Sequence, residues 1–204
     1  MIIRIALWKF VQFLTWGTWI SHGRIRFRGM RNLPPPPFIV ASNHQSYLDP
    51  IVHGTVLGLV RFMARKTLFA NPIFGGLIRL LGAFELDRHT GADLGALKKA
   101  VEVLKGGESL VLFPEGTRSR DGSLGAPKPG VALIAARAGV PVVPAVIDGT
   151  HLAWPRGRIL PGPAPIQVAY GKPLMVADDQ MREFQDKLLD TWKSLLADLR
   201  RSRF

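Results

Sequence analysis

Short apolar segments with the composition of strands alternate with helical segments along most of this chain, and this alternation most restricts the fold that it can adopt. The predicted strands are Phe38–Ser42, Val60–Ala64, Ala83–Asp87, Ser109–Phe113, Val142–Ile147 and Ile166–Tyr170. The predicted helices are Pro50–Leu57, Pro72–Leu81, Ala92–Leu104, Gly130–Ala138 and a last helix that starts near Asp178. Strands that alternate with helices are typical of a largely parallel sheet covered by helices. The sequence therefore predicts an α/β fold, a single domain with a central, mostly parallel mixed sheet flanked by helices.

The last predicted helix carries a regular apolar stripe. Its apolar residues recur at spacings of three and four, which is the period of one face of a helix. They are Met181, Phe184, Leu188, Trp192, Leu195 and Leu199. We interpret this stripe as a face that packs on the core and not as a binding face.

The composition limits the chemistry that this fold can carry. At 204 residues, one domain is expected, and its core can form without disulfides or metal ions. The chain has no cysteine, which excludes a thiol nucleophile, a cysteine-ligated metal and a disulfide framework. A formal net charge of +12 predicts attraction to an anionic partner: nucleic acid, an acidic membrane surface or an acidic protein. The denser basic patches are Arg24, Arg26, Arg28 and Arg31, and Arg200, Arg201 and Arg203.

The N-terminal segment, Met1–Ile20, is rich in apolar residues, carries only Arg4 and Lys9 as charged residues and differs from the rest of the chain. Its uncharged run is too short for a membrane-spanning helix, which needs about 20 apolar residues. We predict an amphipathic helix in residues 1–23 that lies at a membrane interface, with tryptophans at headgroup level and basic residues toward lipid phosphates. Residues 24–204 are then the main domain. The alternative is a helix packed on the domain's own core.

His44 lies just after a predicted strand, where α/β sheets bind their ligands. An imidazole there can accept a proton near neutral pH if a partner fixes its tautomer. Asp49 would lie about 140° away on a continuous helix, so the two meet only if His44 is in the turn and Asp49 starts the helix. Pro50 favours that start, because proline suits the first helical position. The alternatives are a plain N-cap for Asp49 and an ordinary loop histidine for His44.

A second polar segment, Phe113–Ser119, follows another predicted strand. Gly116 allows a positive φ or a close backbone approach, and Arg118 can bind a phosphate through two parallel hydrogen bonds. Glu115 would either bind a substrate hydroxyl or pair with Arg118. Arg88 would either be a second phosphate ligand or pair with its neighbour Asp87.

Four blocks of the sequence resemble the 1-acyl-glycerol-3-phosphate acyltransferase family of glycerolipid acyltransferases. They are Asn43-His44 with Asp49, Gly82–Arg88, Phe113–Ser119 and Val140–Pro144. The resemblance implies that His44 is the general base on the acceptor hydroxyl and that Asp49 orients it. It also implies that the substrate-binding residues are Lys66, Arg88, Glu115, Gly116, Thr117 and Arg118. One departure is Thr67, where many members of the family carry glutamate.

The resemblance implies direct acyl transfer to the 2-hydroxyl of lysophosphatidate, giving phosphatidic acid for phospholipid biosynthesis. The donor would be acyl-CoA or acyl-carrier protein, and no cofactor or metal is expected. Ser46 is interpreted as a turn residue, since the acceptor supplies the attacking oxygen. An anionic membrane surface is the expected partner, and the protein would be monotopic on the cytoplasmic face of the cell membrane.

Two other functions fit part of the sequence. A related acyltransferase with another lysolipid acceptor would keep the same transfer chemistry. A non-catalytic, basic membrane-binding module would leave the two polar segments unexplained. Nucleic acid is not expected as a partner, because two tyrosines and no basic–aromatic interleaving are a poor match for RNA-binding modules. A metal hydrolase is a poor fit too, since no pair of the five histidines has helical zinc spacing.

Overall fold

A seven-stranded sheet forms the centre of the molecule in a computed structural model that describes residues 2–15, 25–86, 94–158, 160–177 and 181–202. Its strands are β1 (Ile25–Arg28), β2 (Ile39–Ser42), β3 (Val60–Arg65), β4 (Ala83–Leu86), β5 (Ser109–Leu112), β6 (Val142–Asp148) and β7 (Ile166–Tyr170). They lie in the order β1-β7-β6-β2-β5-β3-β4. The β6–β7 pair is antiparallel, and the other five pairs are parallel. The predicted mostly parallel mixed sheet is confirmed.

Helices connect these strands and cover the sheet. The α-helices are α1 (Ile2–Thr15), α2 (Asp49–Leu57), α3 (Pro72–Leu80), α4 (Leu94–Lys105), α5 (Gly130–Ala138), α6 (Thr150–Ala153) and α7 (Met181–Arg201). Two short 3-10 helices are Met30–Asn32 and Lys66–Phe69. The sequence predicted neither β1 nor α6. The predicted helix starts at Ala92 and Asp178 and the strand end at Asp87 lie outside the described residues.

Alternate residues of the central strands belong to two apolar clusters, one on each face of the sheet. In β5, Leu110 belongs to the cluster that α4, α5 and α7 cover, whereas Val111 belongs to the cluster that α1 and α2 cover. Successive side chains of a strand point to opposite faces, so the central strands are buried on both sides. The α7 stripe packs in the first cluster, where Phe184, Leu188, Trp192 and Leu199 are buried and Met181 and Leu195 partly buried, which confirms its interpretation as core.

Helix α1 packs on the domain through Trp8, which is 2% exposed. A Cβ at position 54 would lie 1.9 Å from the indole, so glycine is required there for this close approach. The indole N–H donates to the carbonyl of Leu81 at 3.2 Å. The prediction that the tryptophans lie at headgroup level is therefore wrong for Trp8, because its ring fills a space between α1 and α2.

The outer side of α1 differs from this buried side. Phe10 and Phe13 are 57% and 73% exposed, whereas the amide of Gln12 donates to Thr55 on α2 at 3.1 Å. Among the described helices, none is long and apolar enough to cross a membrane. Trp16 and Trp19 lie outside the described residues, so the interfacial role of residues 1–23 and the domain boundary after them stay predictions.

Candidate active site

The loop after β2 and the loop after β5 meet at the carboxyl ends of neighbouring parallel strands. Asn43 fixes the first loop, because its side-chain amide donates to the carbonyl of Ile147 at 3.0 Å and its oxygen accepts from the N–H of Ile147 at 2.8 Å. The N–H of Ser119 donates to the carbonyl of His44 at 2.7 Å, which joins the second loop to the first. The two polar segments singled out in the sequence therefore form one site.

His44 and Asp49 lie in contact. His44 Nδ1 lies 2.7 Å from Asp49 Oδ2, and since a carboxylate only accepts, Nδ1 carries the proton and Nε2 is left free to take one. Asp49 is the first residue of α2, as predicted, with Leu48 at the N-cap position and no side-chain cap. Asp49 Oδ2 accepts instead from the N–H groups of Gln45 at 2.6 Å and Ser46 at 2.8 Å, so the plain N-cap alternative is wrong.

The imidazole of His44 is held between the carboxylate and an aromatic ring. It stacks on Phe113, with 4.2 Å between ring centroids and 22° between planes. Its side chain is 19% exposed, whereas that of Asp49 is fully buried. One face of the imidazole is thus covered by Phe113, Nδ1 is bound to Asp49, and part of the ring is accessible to solvent. This arrangement suits a group that exchanges a proton with a substrate.

A second histidine, His53, lies near Phe113, with 6.2 Å between ring centroids, and unlike His44 it is completely buried. Its ring nitrogens each lie 3.0 Å from a hydroxyl, those of Tyr170 and Ser42. Complete burial lowers the pKa of His53 to about 4, and burial also raises the pKa of Tyr170 above its usual range. His53 is therefore neutral at physiological pH and fully engaged, which makes His44 the candidate base.

Glu115 is buried beside this pair and does not pair with Arg118 in the described part of the chain. Its Oε1 has no hydrogen-bond partner among the described residues. The pKa of its carboxyl is raised to about 7, mainly by burial and to a smaller extent by the charge of Asp49. The backbone N–H groups of Gly125 and His44 oppose that rise. Because its pKa is close to neutral pH, this carboxyl can donate a hydrogen bond to a ligand hydroxyl when it is protonated, or accept one from it when it is ionised.

The raised pKa of Glu115 predicts a pH-dependent stability. The folded state holds this proton up to about pH 7, whereas the unfolded chain releases it near 4.5. Folding is therefore stabilised by this proton at low pH, and that stability is lost as pH rises through this window. Between pH 4.5 and 7, we expect the Tm of Glu115→Gln to change less with pH than that of the parent. Above pH 7, we expect the Tm of Glu115→Gln to be the higher of the two.

Thermal unfolding measured across that window checks the prediction. Glu183→Gln is the matched control, because Glu183 is exposed on α7 and its replacement should leave the shape of the profile unchanged. Parallel profiles for the parent and Glu115→Gln would show that the carboxyl is ionised throughout.

Arg118 is positioned by an aromatic ring, and no carboxylate among the described residues pairs with it. Its guanidinium carbon lies 3.7 Å from the centroid of the Tyr47 ring, and a cation over an aromatic face is attracted to it. Tyr47 in turn makes an edge contact with Trp154, at 5.9 Å between centroids. The side chain of Arg156 donates to the backbone carbonyl of Arg118. Stacking leaves the N–H edges of the guanidinium available for an anion.

The contacts of the remaining predicted site residues are less well defined than those of His44, Asp49, Glu115 and Arg118. Gly116 adopts a positive φ of 72°, one of the two alternatives that the sequence offers for it, and Thr117 is exposed in the same turn. Lys66 is exposed at the start of the 3-10 helix after β3. Arg88 lies outside the described residues, so its role stays a prediction. No cluster of three His, Asp or Glu side chains within the described ranges forms a metal site.

Known proteins resemble this chain over most of its length. A model of the family described as "Acyltransferase" matches residues 24–148. The 1-acyl-sn-glycerol-3-phosphate acyltransferase of Pseudomonas aeruginosa is 32% identical over 181 residues, which are 87% of this chain and 69% of the relative. The crystal structure of the 1-acyl-sn-glycerophosphate (LPA) acyltransferase of Thermotoga maritima superposes with a TM-score of 0.80 at 28% identity, covering 98% of this chain and 82% of that one.

Longer relatives match over a smaller share of their length. The chloroplast 1-acyl-sn-glycerol-3-phosphate acyltransferase of Arabidopsis thaliana is 38% identical over 137 residues, or 66% of this chain. The matched part covers 38% of that protein and 39% of a similar chloroplast protein of Brassica napus. The similarity to these relatives therefore concerns less than half of each.

Proposed function

The chain belongs to the acyltransferase family, whose model covers more than half of it, and from that premise we propose that it transfers an acyl group from a thioester to the 2-hydroxyl of 1-acyl-glycerol-3-phosphate. The names of its relatives support this acceptor. The strongest structural support is the partly buried His44–Asp49 hydrogen bond of 2.7 Å, which prepares Nε2 of His44 to take a proton. The donor is acyl-CoA or acyl-carrier protein, and the product is phosphatidic acid.

The proposed reaction moves the acceptor's hydroxyl proton and replaces the carbon–sulfur bond of the thioester by a carbon–oxygen bond. The acceptor hydroxyl oxygen attacks the thioester carbonyl carbon while Nε2 of His44 takes the hydroxyl proton. Asp49 stabilises the imidazolium that forms, because its Oδ2 already accepts from Nδ1. The carbon–sulfur bond then breaks, and the thiolate leaves with a proton from His44. A thiolate is a good leaving group, so no covalent enzyme intermediate is needed.

Thiol release by the purified protein in detergent tests this proposal. One acyl thioester is supplied with either lysophosphatidate or lysophosphatidylcholine as acceptor. Release with lysophosphatidate alone is expected, since Arg118 is proposed to bind the phosphate monoester. Release with lysophosphatidylcholine alone would show that the acceptor is another lysolipid, whereas the proposed transfer chemistry would stand. No release with either acceptor, from acyl-CoA or acyl-carrier protein, would contradict the proposed activity.

We expect Arg118→Lys to raise the KM for lysophosphatidate about tenfold or more, because an ammonium cannot form the two parallel hydrogen bonds of a guanidinium and stacks less well on Tyr47. The KM for the acyl donor should stay unchanged. Arg120→Lys, at an exposed neighbour, is the matched control and should behave as the parent. Unchanged acceptor kinetics in Arg118→Lys would remove this residue from the phosphate site.

We also propose that the outer side of α1 inserts into an anionic membrane surface. Its exposed Phe10 and Phe13 would contact the acyl region, and the net charge of +12 would attract the anionic headgroups. The cytoplasmic face is proposed from the expected use of cytoplasmic thioesters. An uncharged surface would lack the electrostatic part of this attraction.

Vesicle sedimentation separates the two contributions. Phe10→Ser with Phe13→Ser should weaken binding to phosphatidylglycerol-containing vesicles at high salt, where charge attraction is screened. Leu94→Ser is the control, because Leu94 is 71% exposed at the start of α4, which packs on the other face of the sheet. Equal binding of the double variant and the parent at high salt would exclude α1 as the inserted element.

A further inference from the structure

Asp49 is held on both of its oxygens, and the donor to the second oxygen comes from a distant part of the chain. The hydroxyl of Thr150 lies 2.6 Å from Asp49 Oδ1. Both residues are 0% exposed. Three donors meet the other oxygen, Oδ2: Nδ1 of His44 and the N–H groups of Gln45 and Ser46. Thr150 is thus the side-chain hydroxyl that fixes the side of the carboxylate that faces away from His44.

A threonine hydroxyl has one proton to donate, and two acceptors lie within reach of Thr150. Oε1 of Gln45 is 3.4 Å away, whereas Asp49 Oδ1 is 2.6 Å away. Hydrogen bonds to ionised acceptors are shorter and stronger than those to neutral ones. The distances and the charge therefore both assign the proton to Asp49.

The backbone that carries Thr150 is itself tied to the first motif. Gln45 Oε1 accepts from the N–H of Gly149 at 3.2 Å and lies 2.9 Å from Nδ1 of His151. Thr150 begins α6 directly after β6, and β6 lies next to β2, the strand that leads to His44. Residues on both sides of Thr150 thus hold the loop that contains His44 and leads to Asp49, which sets the hydroxyl in a fixed place.

We propose that Thr150 is a positioning residue for the His44–Asp49 pair. Its hydroxyl fixes the rotation of the Asp49 carboxylate so that Oδ2 faces Nδ1 of His44, which keeps His44 in the tautomer with Nε2 unprotonated. The kinetic consequence rests on the proposed acyl transfer. The geometric consequence, an ordered Nδ1–H···Oδ2 bond, concerns the folded protein alone.

The kinetic test replaces the hydroxyl without changing the shape of the side chain. We expect Thr150→Val to lower kcat about 10- to 100-fold, the effect of losing one hydrogen bond to a charged group, with the KM for donor and acceptor unchanged. Thr150→Ser keeps the hydroxyl and should retain most of the activity. The matched control is Thr55→Val, because Thr55 is 4% exposed on the same helix as Asp49 and donates to the carbonyl of Val52 at 2.7 Å.

The second test needs no turnover. In protein labelled with nitrogen-15 histidine, the Nδ1–H signal of His44 is assigned by its loss in His44→Ala. This signal should be protected from exchange in the parent, Thr150→Ser and Thr55→Val, and broadened or lost in Thr150→Val. If Thr150→Val does not fold, Thr150→Ala removes the same hydroxyl without adding an atom.

The outcomes separate this inference from the proposed function. A parent that transfers no acyl group but shows the expected histidine signals would contradict the proposed reaction and support the positioning role. A folded Thr150→Val with parental kcat and a parental Nδ1–H signal would overturn the positioning role. A loss that Thr55→Val shares, or that Thr150→Ser does not relieve, would also overturn it, because it would indicate a general packing effect.

Discussion

We expect His44→Ala to lower kcat by about 10²–10⁴-fold, the typical contribution of a positioned general base. The substitution removes the one ring nitrogen that is left free to accept a proton in the His44–Asp49 pair. The fold should persist, because His44 lies in a loop after β2 and its side chain is partly exposed. Steady-state thiol release at saturating donor and acceptor measures the loss, and circular dichroism confirms the fold.

A double-variant cycle with Asp49→Asn makes this test sharper. Residues that act as one unit give strongly non-additive losses, so His44→Ala with Asp49→Asn should be little slower than His44→Ala alone. Asparagine has an NH2 group in place of one carboxylate oxygen, so the hydrogen bonds that both oxygens of Asp49 now accept cannot all persist. Additive losses, or a folded His44→Ala with a near-parental rate, would contradict the assignment of His44 as the base.

The central strands could be predicted from the sequence because they are apolar on both faces. In β2 and β5 every residue is buried, so composition alone marks them. The edge strand β1 was missed for the opposite reason. Its Ile25 is buried and its Arg26 exposed, a short alternation that the basic composition of the region obscured.

The meeting of His44 and Asp49 was predictable, since it depends on a local turn followed by a helix start. The Thr150–Asp49 bond was not, because the two partners are 101 positions apart in the sequence and β6 has to lie next to β2 before they meet. Tyr47 shows a similar limit. The sequence offered Glu115 as a partner for Arg118, but Glu115 is buried, and the guanidinium stacks on the aromatic ring instead.

Helix α7 shows how a remote element supports β2, the strand that leads to the site, through Trp192. This side chain is 0% exposed, and its indole N–H donates to the carbonyl of Ala41 in β2 at 3.0 Å. We expect Trp192→Ala to lower the free energy of unfolding by about 3–5 kcal/mol, the range for removing a large buried aromatic side chain. Such a loss is a large part of the about 5–15 kcal/mol that stabilises a typical domain.

Urea denaturation of Trp192→Ala and two controls measures this effect. Trp192→Phe keeps most of the volume and should lose about 1–3 kcal/mol, because the Ala41 carbonyl is left without its donor. Trp154→Ala removes the same side chain from a partly exposed position and should cost less than Trp192→Ala. Equal losses at Trp192 and Trp154 would show that burial against β2 contributes nothing special.

Activity of Trp192→Ala then distinguishes support of the fold from control of the site. Ala41 comes three residues before His44, yet Asn43 holds the intervening loop to Ile147 by two hydrogen bonds of its own. Trp192→Ala that remains folded at low temperature should therefore keep a near-parental kcat per folded molecule. A kcat that falls while the protein stays folded would show that α7 sets the position of His44 through β2, and that the bonds of Asn43 do not isolate the site from the core.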